Sequence, residues 1–299
     1  MEKINISFLG TGATIPTKNR NHISILLSYK NENILVDCGE GTQKQFRKAD
    51  LNPCSITRIL ITHWHGDHIL GLPGLLQTLA LSGYSKKLHI YIPKGTKNFM
   101  ESIMKTFIFE GNLNYKIEEV EGKFFENSDF YLEAFPLKHS AKCNGYSFIE
   151  KDKLRISKNK INSLKLPHSP MLKDLVMGKD IIHNNKKIKA KSITYLQKGR
   201  KISFAFDTGY AKNIIQNIKN ANLLIIEATY LEKEKNIAER YKHLTASQAA
   251  NFAKKAKVGK LILTHISPRY ENHEDKILKE AKKIFKSSII VKDLERIQF

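Results

Sequence analysis

The sequence predicts an α/β fold of mixed sheets covered by helices. Three observations lead there: a second half that alternates apolar strands with helical periodicity, metal-ligating side chains at the ends of apolar strands, and a five-residue word that recurs in nearly the same form. The first half is strand-rich, with apolar or alternating runs near 4–9, 22–30, 33–37, 58–62, 88–92, 115–120, 130–138 and 144–149. Helical periodicity appears there around 41–49, 69–82 and 95–107. From residue 201 the rhythm is regular: strand 201–206, helix 211–219, strand 223–228, helix 245–257, strand 260–264, helix 273–285 and strand 288–292. Thr245, followed by Ala-Ser-Gln, is a natural amino-terminal cap for its helix.

Chemistry concentrates after the strand Ile59-Leu60-Ile61, where Thr62-His63-Trp64-His65-Gly66-Asp67-His68 places three histidines and an aspartate within six residues. Imidazole and carboxylate suit a borderline cation such as zinc, and ligands clustered on one loop need less chain ordering than ligands gathered singly. Four such neighbours do not easily share one ion, so the spacing suggests two metals side by side, a pair that activates water and clamps a phosphate or carbonyl. Three further strands end in a ligand: Phe130–Leu137 leads to His139, Lys201–Phe206 to Asp207, and Leu261–Thr264 to His265. The carboxyl edge of strands is where open α/β sheets carry their sites. Ile59-Leu60-Ile61-Thr62-His63 and Leu261-Ile262-Leu263-Thr264-His265 are nearly the same word, which predicts two similar halves with metals held between them.

A chain of 299 residues allows one large domain or two ordinary ones, with ample core either way. The amino terminus leads into an alternating strand and carries no signal-peptide pattern. The most apolar segment, Ile69 to Leu81, is too short and too broken to span a bilayer, so no membrane is expected. Cys38, Cys54 and Cys143 are odd in number and form no C-x-x-C pair, which fits a reducing cytoplasm.

Fifty Lys plus Arg against 29 Asp plus Glu leave a formal charge of +21, which argues for a polyanionic partner. The excess is uneven: Lys151 to Lys191 holds twelve basic residues against three acidic ones, with Pro167 and Pro170 breaking the strand rhythm. That segment is expected to leave the domain as a basic arm, and a basic arm on a hydrolase suggests a grip on nucleic acid.

The H-x-H-x-D-H loop with the later His139, Asp207 and His265 resembles the metallo-β-lactamase superfamily. More specific marks are Phe8-Leu9-Gly10-Thr11-Gly12-Ala13, the P-x-K-x-R-N pattern of Pro16 to Asn21, Asp37-Cys38-Gly39-Glu40-Gly41-Thr42-Gln43, and the region Leu263 to Ser267. Together they make the whole chain similar to the ribonuclease Z family, endonucleases that remove the 3′ trailer of precursor tRNA and leave it with a 5′-phosphate. The resemblance implies a four-layer αββα sandwich of two similar halves, residues 1–299 forming one domain with residues 151–191 inserted as a tRNA-binding arm. It also implies two zinc ions per subunit, with manganese as the alternative. His63, His65 and His139 would hold one ion, Asp67, His68 and His265 the other, and Asp207 would bridge. Asp67 would accept the proton of the attacking water, and His243, oriented by Glu227, would protonate the leaving 3′-oxygen. The family's H-E-A-T and H-S-T motifs read here as Ile226-Glu227-Ala228-Thr229 and His243-Leu244-Thr245, so the acid pair is kept while its neighbours differ. Lys18 and Arg20 are expected to position the acceptor end, with Lys151, Lys153, Arg155 and Lys173 contacting RNA from the arm. The Gly-Pro step common in bacterial arms is replaced by Leu166-Pro167-His168-Ser169-Pro170. A homodimer, the arm of one subunit serving the other, is also implied.

Other classes stay open on the residues alone. A small-molecule phosphodiesterase or a glyoxalase II-like thioesterase would keep the ligands but would not need the arm. A non-catalytic RNA-binding protein would not need the complete ligand set.

Overall fold

The computed structural model describes residues 2–108, 110–164, 166–167 and 169–299. Strands β1 (Ile4–Gly10), β2 (Ser24–Tyr29), β3 (Glu32–Val36), β4 (Arg58–Leu60), β5 (Leu88–Pro93) and β6 (Tyr115–Val120) form most of a first sheet. Two further strands, β7 (Gly122–Glu126) and β8 (Phe130–Leu137), lead to β9 (Cys143–Glu150) in a second. The arm follows, with β10 (Lys153–Ile156), β11 (Ile181–His183), β12 (Lys186–Ile188) and β13 (Thr194–Gln197). The chain then returns through β14 (Lys201–Ala205), β15 (Leu223–Glu227), β16 (Lys260–Thr264) and β17 (Ser288–Ile290), and ends in β18 (Arg296–Gln298).

The two large sheets have seven strands each, ordered β18-β1-β2-β3-β4-β5-β6 and β17-β16-β15-β14-β9-β8-β7. In the first, β3 to β6 run parallel and the rest antiparallel; in the second, β14 to β17 run parallel and the rest antiparallel. The halves are therefore built alike, and β18 crosses back to pair with β1. That return was not legible in Arg296-Ile297-Gln298, a run too short to show a period.

Three buried apolar clusters define four layers. The central one takes Ile6, Phe8, Ile25 and Val36 from the first sheet and Phe130, Phe148, Phe204 and Ile225 from the second, so the sheets face each other across it. The first sheet's other face is covered by α1 (Thr42–Lys48), α2 (Gly66–Ile69), α3 (Leu72–Leu81) and α4 (Lys97–Thr106), with Phe46, Leu72, Leu76 and Met100 packed on Leu35 and Ile90. The arm contributes α5 (Lys158–Ser163), α6 (Met171–Val176) and α7 (Ala190–Ile193). The second sheet's outer face is covered by α8 (Ile214–Asn217), α10 (Ala246–Lys255) and α11 (Glu274–Ile284), with the short α9 (Lys235–Tyr241) preceding α10 in the chain. The fold is the αββα sandwich. Thr245 caps α10 as expected, its hydroxyl accepting from Gln248 N while Gln248 answers to Thr245 N.

The arm closes later than Lys191, because Arg155 and Leu154 of β10 pair with Tyr195 and Leu196 of β13. It also carries a core of its own: Ile161, Leu166, Leu175, Ile181, Ala190 and Ile193 pack together. Lys165 and His168 lie outside the described residues.

Candidate active site

Beyond β4 the chain runs through buried Ile61 and Thr62 to His63, then turns through His65 into the short α2 that carries Asp67 and His68. This loop is seated on the segment after β3. Any Cβ on Gly39 would clash with the Asp67 carbonyl oxygen and with His22, and one on Gly71 with the Gly39 carbonyl, so both close approaches require glycine. From the other sheet come His139 after β8, Asp207 after β14 and His265 after β16. Asp207 and His265 hold positive φ of 46° and 54°, as Asp37 does at 57°, a backbone state that non-glycine residues keep only where surroundings impose it.

All seven residues expected as ligands meet at this seam between the sheets. One atom each of His63, His65, His139 and Asp207 lie within 4.8 Å of one another, and so do those of Asp67, His68 and His265. Asp207 sits between the groups: Oδ2 is 3.5 Å from His63 Nε2 and 3.6 Å from His139 Nε2, and Oδ1 is 3.4 Å from His68 Nε2 and 3.0 Å from His265 Nε2. Asp67 Oδ2 is 3.3 Å from His265 Nε2 and accepts from Thr14 N at 2.9 Å.

The outward nitrogens of four histidines are engaged. His63 Nδ1 meets Thr62 Oγ1 at 3.0 Å, His68 Nδ1 meets Asp37 Oδ2 at 2.6 Å, His139 Nδ1 meets the Lys242 carbonyl at 3.2 Å, and His265 Nδ1 meets Thr229 Oγ1 at 3.1 Å. Each contact fixes a ring and aims Nε2 at the centre. There His63 Nε2, His68 Nε2 and Asp207 Oδ1 are buried with no hydrogen-bond partner among the described residues. Buried polar atoms are ordinarily satisfied, so converging orphaned donor atoms are what a cation site leaves when only protein is considered. The residues fit a pair of divalent cations.

Electrostatics agree. Burial, with His68 beside it, pushes His63 well below its usual pKa, and burial likewise lowers His139, so both present neutral nitrogens. His68 is also desolvated, yet Asp207, Asp37 and Asp67 raise it well above the usual range. Burial alone would raise Asp207, but His265, His68 and His63 hold it well below the carboxylate range. Positive charge is thus drawn to this centre by its carboxylates.

The expected acid pair is also assembled at the site. Glu227, at the end of β15, is fully buried and meets His243 Nδ1 at 3.1 Å. Burial opposes a charged imidazole, but Glu227's charge and hydrogen bond, with Asp207 and Asp67 behind them, raise His243 to about 9. His243 lines an 810 Å³ cleft together with His65, Asp67, His139 and Asp207, and Thr14, Tyr230, Tyr241 and Arg269 form more of its wall. Sequence reasoning missed those four, and it missed Asp37 as the carboxylate behind His68. Asp37 could have been found in the Asp37–Gln43 motif, where an acid ends an apolar strand.

The residues expected to meet RNA are dispersed. Lys18 is exposed. Arg20 is 4% exposed, its guanidinium held by Glu274 Oε1 at 3.2 Å, Thr11 Oγ1 at 2.6 Å and the Val291 carbonyl at 2.9 Å, so it anchors its loop from inside. At the arm's root Lys151 pairs with Glu126 at 2.7 Å, Lys153 with Asp129, and Arg155 with Gln197 at 2.9 Å. Farther out, Lys158, Lys173, Lys179, Lys186, Lys189 and Lys191 are exposed and form no ion pair among the described residues. Lys186, Lys187 and Lys189 line a 560 Å³ groove with His183 and Asn184.

Residues 4–282 match the family model described as Anti-Pycsar protein Apyc1. The chain is 42% identical to ribonuclease Z of Borreliella burgdorferi (strain B31) over 289 residues, 93% of this chain and 91% of that protein. It is 35% identical to ribonuclease Z of Methanosarcina acetivorans, over 99% of this chain and 98% of that one. The chain belongs to the ribonuclease Z family. Both descriptions apply to the same stretch of chain, and the relatives from Borreliella and Methanosarcina carry the name ribonuclease Z across nearly the full length. Among solved structures, human tRNase Z, short form, superimposes with a TM-score of 0.72 at 28% identity, covering 98% of each chain. A metallo-β-lactamase-fold protein, YhfI from Bacillus subtilis, superimposes with a TM-score of 0.71 at 18% identity, a likeness of fold. A ribonuclease Z family member of this fold is a metal-dependent endoribonuclease.

Proposed function

We infer that the chain removes the 3′ trailer of precursor tRNA, cutting to leave a 3′-hydroxyl on the tRNA and a 5′-phosphate on the trailer. One observation carries the reading: a complete seven-residue ligand set and the His243–Glu227 pair share a single cleft in a chain whose relatives are ribonuclease Z. His63, His65 and His139 would hold one cation and Asp67, His68 and His265 the other, with Asp207 between the two groups. Two zinc ions per subunit fit these donors, with manganese as the alternative. When bound, the cations supply Lewis-acid charge for the phosphate and make water a competent nucleophile at neutral pH.

The protein's own groups do the rest. Asp67, held well below the carboxylate range by His68 and His265 against the effect of burial, is ionised at neutral pH and is the acceptor for the water's proton. His243 is protonated at neutral pH and donates to the departing 3′-oxygen. Glu227 fixes its ring through Nδ1 and is itself held by Thr208 N at 2.5 Å and Leu244 N at 3.1 Å. The 151–191 segment, completed by β13, serves as the tRNA-binding arm. Its exposed lysines supply phosphate contacts that weaken with salt, joined by the exposed Lys18, while Arg20, Lys151, Lys153 and Arg155 hold loop and arm in place. A homodimer, in which each arm serves the other subunit, and a cytoplasmic location complete the reading. No helix among the described residues is long and apolar enough to cross a membrane.

Incubation with a 3′-extended precursor tRNA, with and without chelator, tests the reading. Metal-dependent release of a 5′-phosphorylated trailer is expected. Turnover of a thioester or a bis-aryl phosphate, with every precursor left intact, would replace it with a small-molecule hydrolase.

A further inference from the structure

A second hollow adjoins the cleft. It has a volume of 480 Å³ and is bounded by Trp64, Thr96, Asn98, Phe99 and Lys142, with His65 as a shared wall. His243 lines only the cleft.

The pocket's lining is unusual for a surface depression beside a polar centre. Phe99, on the first turn of α4, is 48% exposed, and its ring lies 5.7 Å from that of Trp64 at an interplanar angle of 36°. Trp64 rests against the core under the first sheet, and its indole Nε1 is buried without a hydrogen-bond partner among the described residues. A buried indole N–H normally finds an acceptor. Lys142 stands at the rim, its ammonium reaching the Gly95 carbonyl at 3.4 Å and no carboxylate among the described residues. An exposed aromatic face backed by a second ring, with a cation at the rim, suits a flat group tied to an anion.

We propose that this pocket holds the first nucleobase of the trailer, stacked on the exposed ring of Phe99 that Trp64 backs, with Lys142 at a trailer phosphate. The inference rests on the trailer-removal reading. In that reading His243 protonates the 3′-oxygen, so the tRNA side of the cut lies along the part of the cleft that His243 lines. The other ester arm of the same phosphate leads to the trailer and must leave the ligand cluster elsewhere. The hollow on the other side of His65 shares that residue with the cleft and carries an aromatic lining suited to a base. Stacking is tolerant of sequence because every base has a π-face, which suits trailers of any composition.

The test compares two precursors that differ only at the first trailer nucleotide, one with its base and one abasic there, cut by the wild type, Phe99→Ala and Phe99→Tyr. The wild type is expected to favour the base-bearing precursor in kcat/KM by about tenfold, the lower half of the range for one stacked base. Phe99→Ala brings that ratio close to one, and Phe99→Tyr restores it. Phe99 is exposed, so its truncation leaves the fold intact, and thermal melting checks this. A wild-type ratio near one, or a ratio that survives in Phe99→Ala, overturns the pocket assignment while leaving trailer removal standing. A wild type that cuts neither precursor overturns the trailer-removal reading and this proposal with it.

Discussion

His243 Nδ1 meets Glu227 Oε2 at 3.1 Å, and that carboxylate is otherwise fully occupied by Thr208 N, Leu244 N and Thr229 Oγ1. The imidazole is therefore gripped by a group that cannot turn away. Under the proposed mechanism His243→Ala removes the proton donor and is expected to lower kcat by a factor on the order of 10²–10⁴, the usual worth of a positioned acid. The pH profile carries the finer prediction. His243 is raised from 6.5 to about 9, so its acid form persists through neutrality and is lost as pH rises. Bound cations draw that value down, which places the alkaline limb of kcat between the two. Glu227→Gln removes the carboxylate charge and should move the limb toward acid by about a unit or more. An unmoved limb in Glu227→Gln would mean that another group supplies the proton.

Asp37 is the carboxylate behind a ligand. Its Oδ2 meets His68 Nδ1 at 2.6 Å and accepts from Thr62 Oγ1 at 2.7 Å, while Oδ1 accepts from Thr62 N at 2.7 Å. Thr62 Oγ1 in turn meets His63 Nδ1 at 3.0 Å, so one acid orients two histidines. Asp37→Asn keeps the shape but presents an amide where His68 needs an acceptor. Metal affinity, followed by competition with a graded chelator, should fall by about 10- to 100-fold. Unchanged affinity would show that the histidine orientation is set by backbone alone.

The convergence of the expected ligands was legible in the sequence because each of them ends a strand or follows one closely, and strand ends are readable from local pattern. His63, Asp207 and His265 stand at the ends of β4, β14 and β16 in the sequence and at one seam in the structure. The word shared by Ile59–His63 and Leu261–His265 marked equivalent positions, since both lie in the parallel parts of their sheets. What local pattern could not show was what side chains do once buried. Arg20 reads as a surface cation in a polar loop, yet its partners Glu274 and Val291 are more than 250 positions away. β7 was missed because Phe124 and Phe125 are adjacent, which hides alternation, and the register shifts there. The arm's strands were hidden by lysine at many positions, and only their pairing makes them strands.

Removal of the arm is best designed from its root. Ile156 pairs with Thr194, so joining these residues through a two-residue turn excises 157–193 and the arm's core together, where a cut inside β10 would leave β13 unpaired. The shortened protein should keep turnover of a small phosphodiester and show a raised KM for precursor tRNA. Its tRNA affinity should also depend less steeply on salt, the logarithmic slope dropping by about 0.9 per lost phosphate contact. Equal losses on both substrates would assign the arm to the fold of the domain.

Asp293 ties the ends of the sandwich together and sets a pH dependence of stability. Its carboxylate accepts from Thr11 Oγ1 at 2.7 Å, Asn21 N at 2.6 Å and Gln45 Nε2 at 3.0 Å, so three segments of the first half rest on one residue near the carboxyl terminus. Burial outweighs these bonds and the nearby Arg20, and raises the group to about 6 from 3.8. A raised acid binds its proton more tightly folded than unfolded. Its contribution to stability is complete below pH 3.8 and is lost as pH rises to 6, by up to about 3 kcal/mol. Asp67 and Asp207, held low by their histidines, act in the opposite sense and lose stability as pH falls, so the wild-type curve alone does not isolate Asp293. The difference between wild type and Asp293→Asn does, because the other groups are common to both. Urea midpoints measured from pH 4 to pH 7 should give a stability difference, wild type minus variant, that declines across this window and then levels off. A difference that stays flat, or rises with pH, would mean that Asp293 is ionised throughout and that its three donors outweigh its burial.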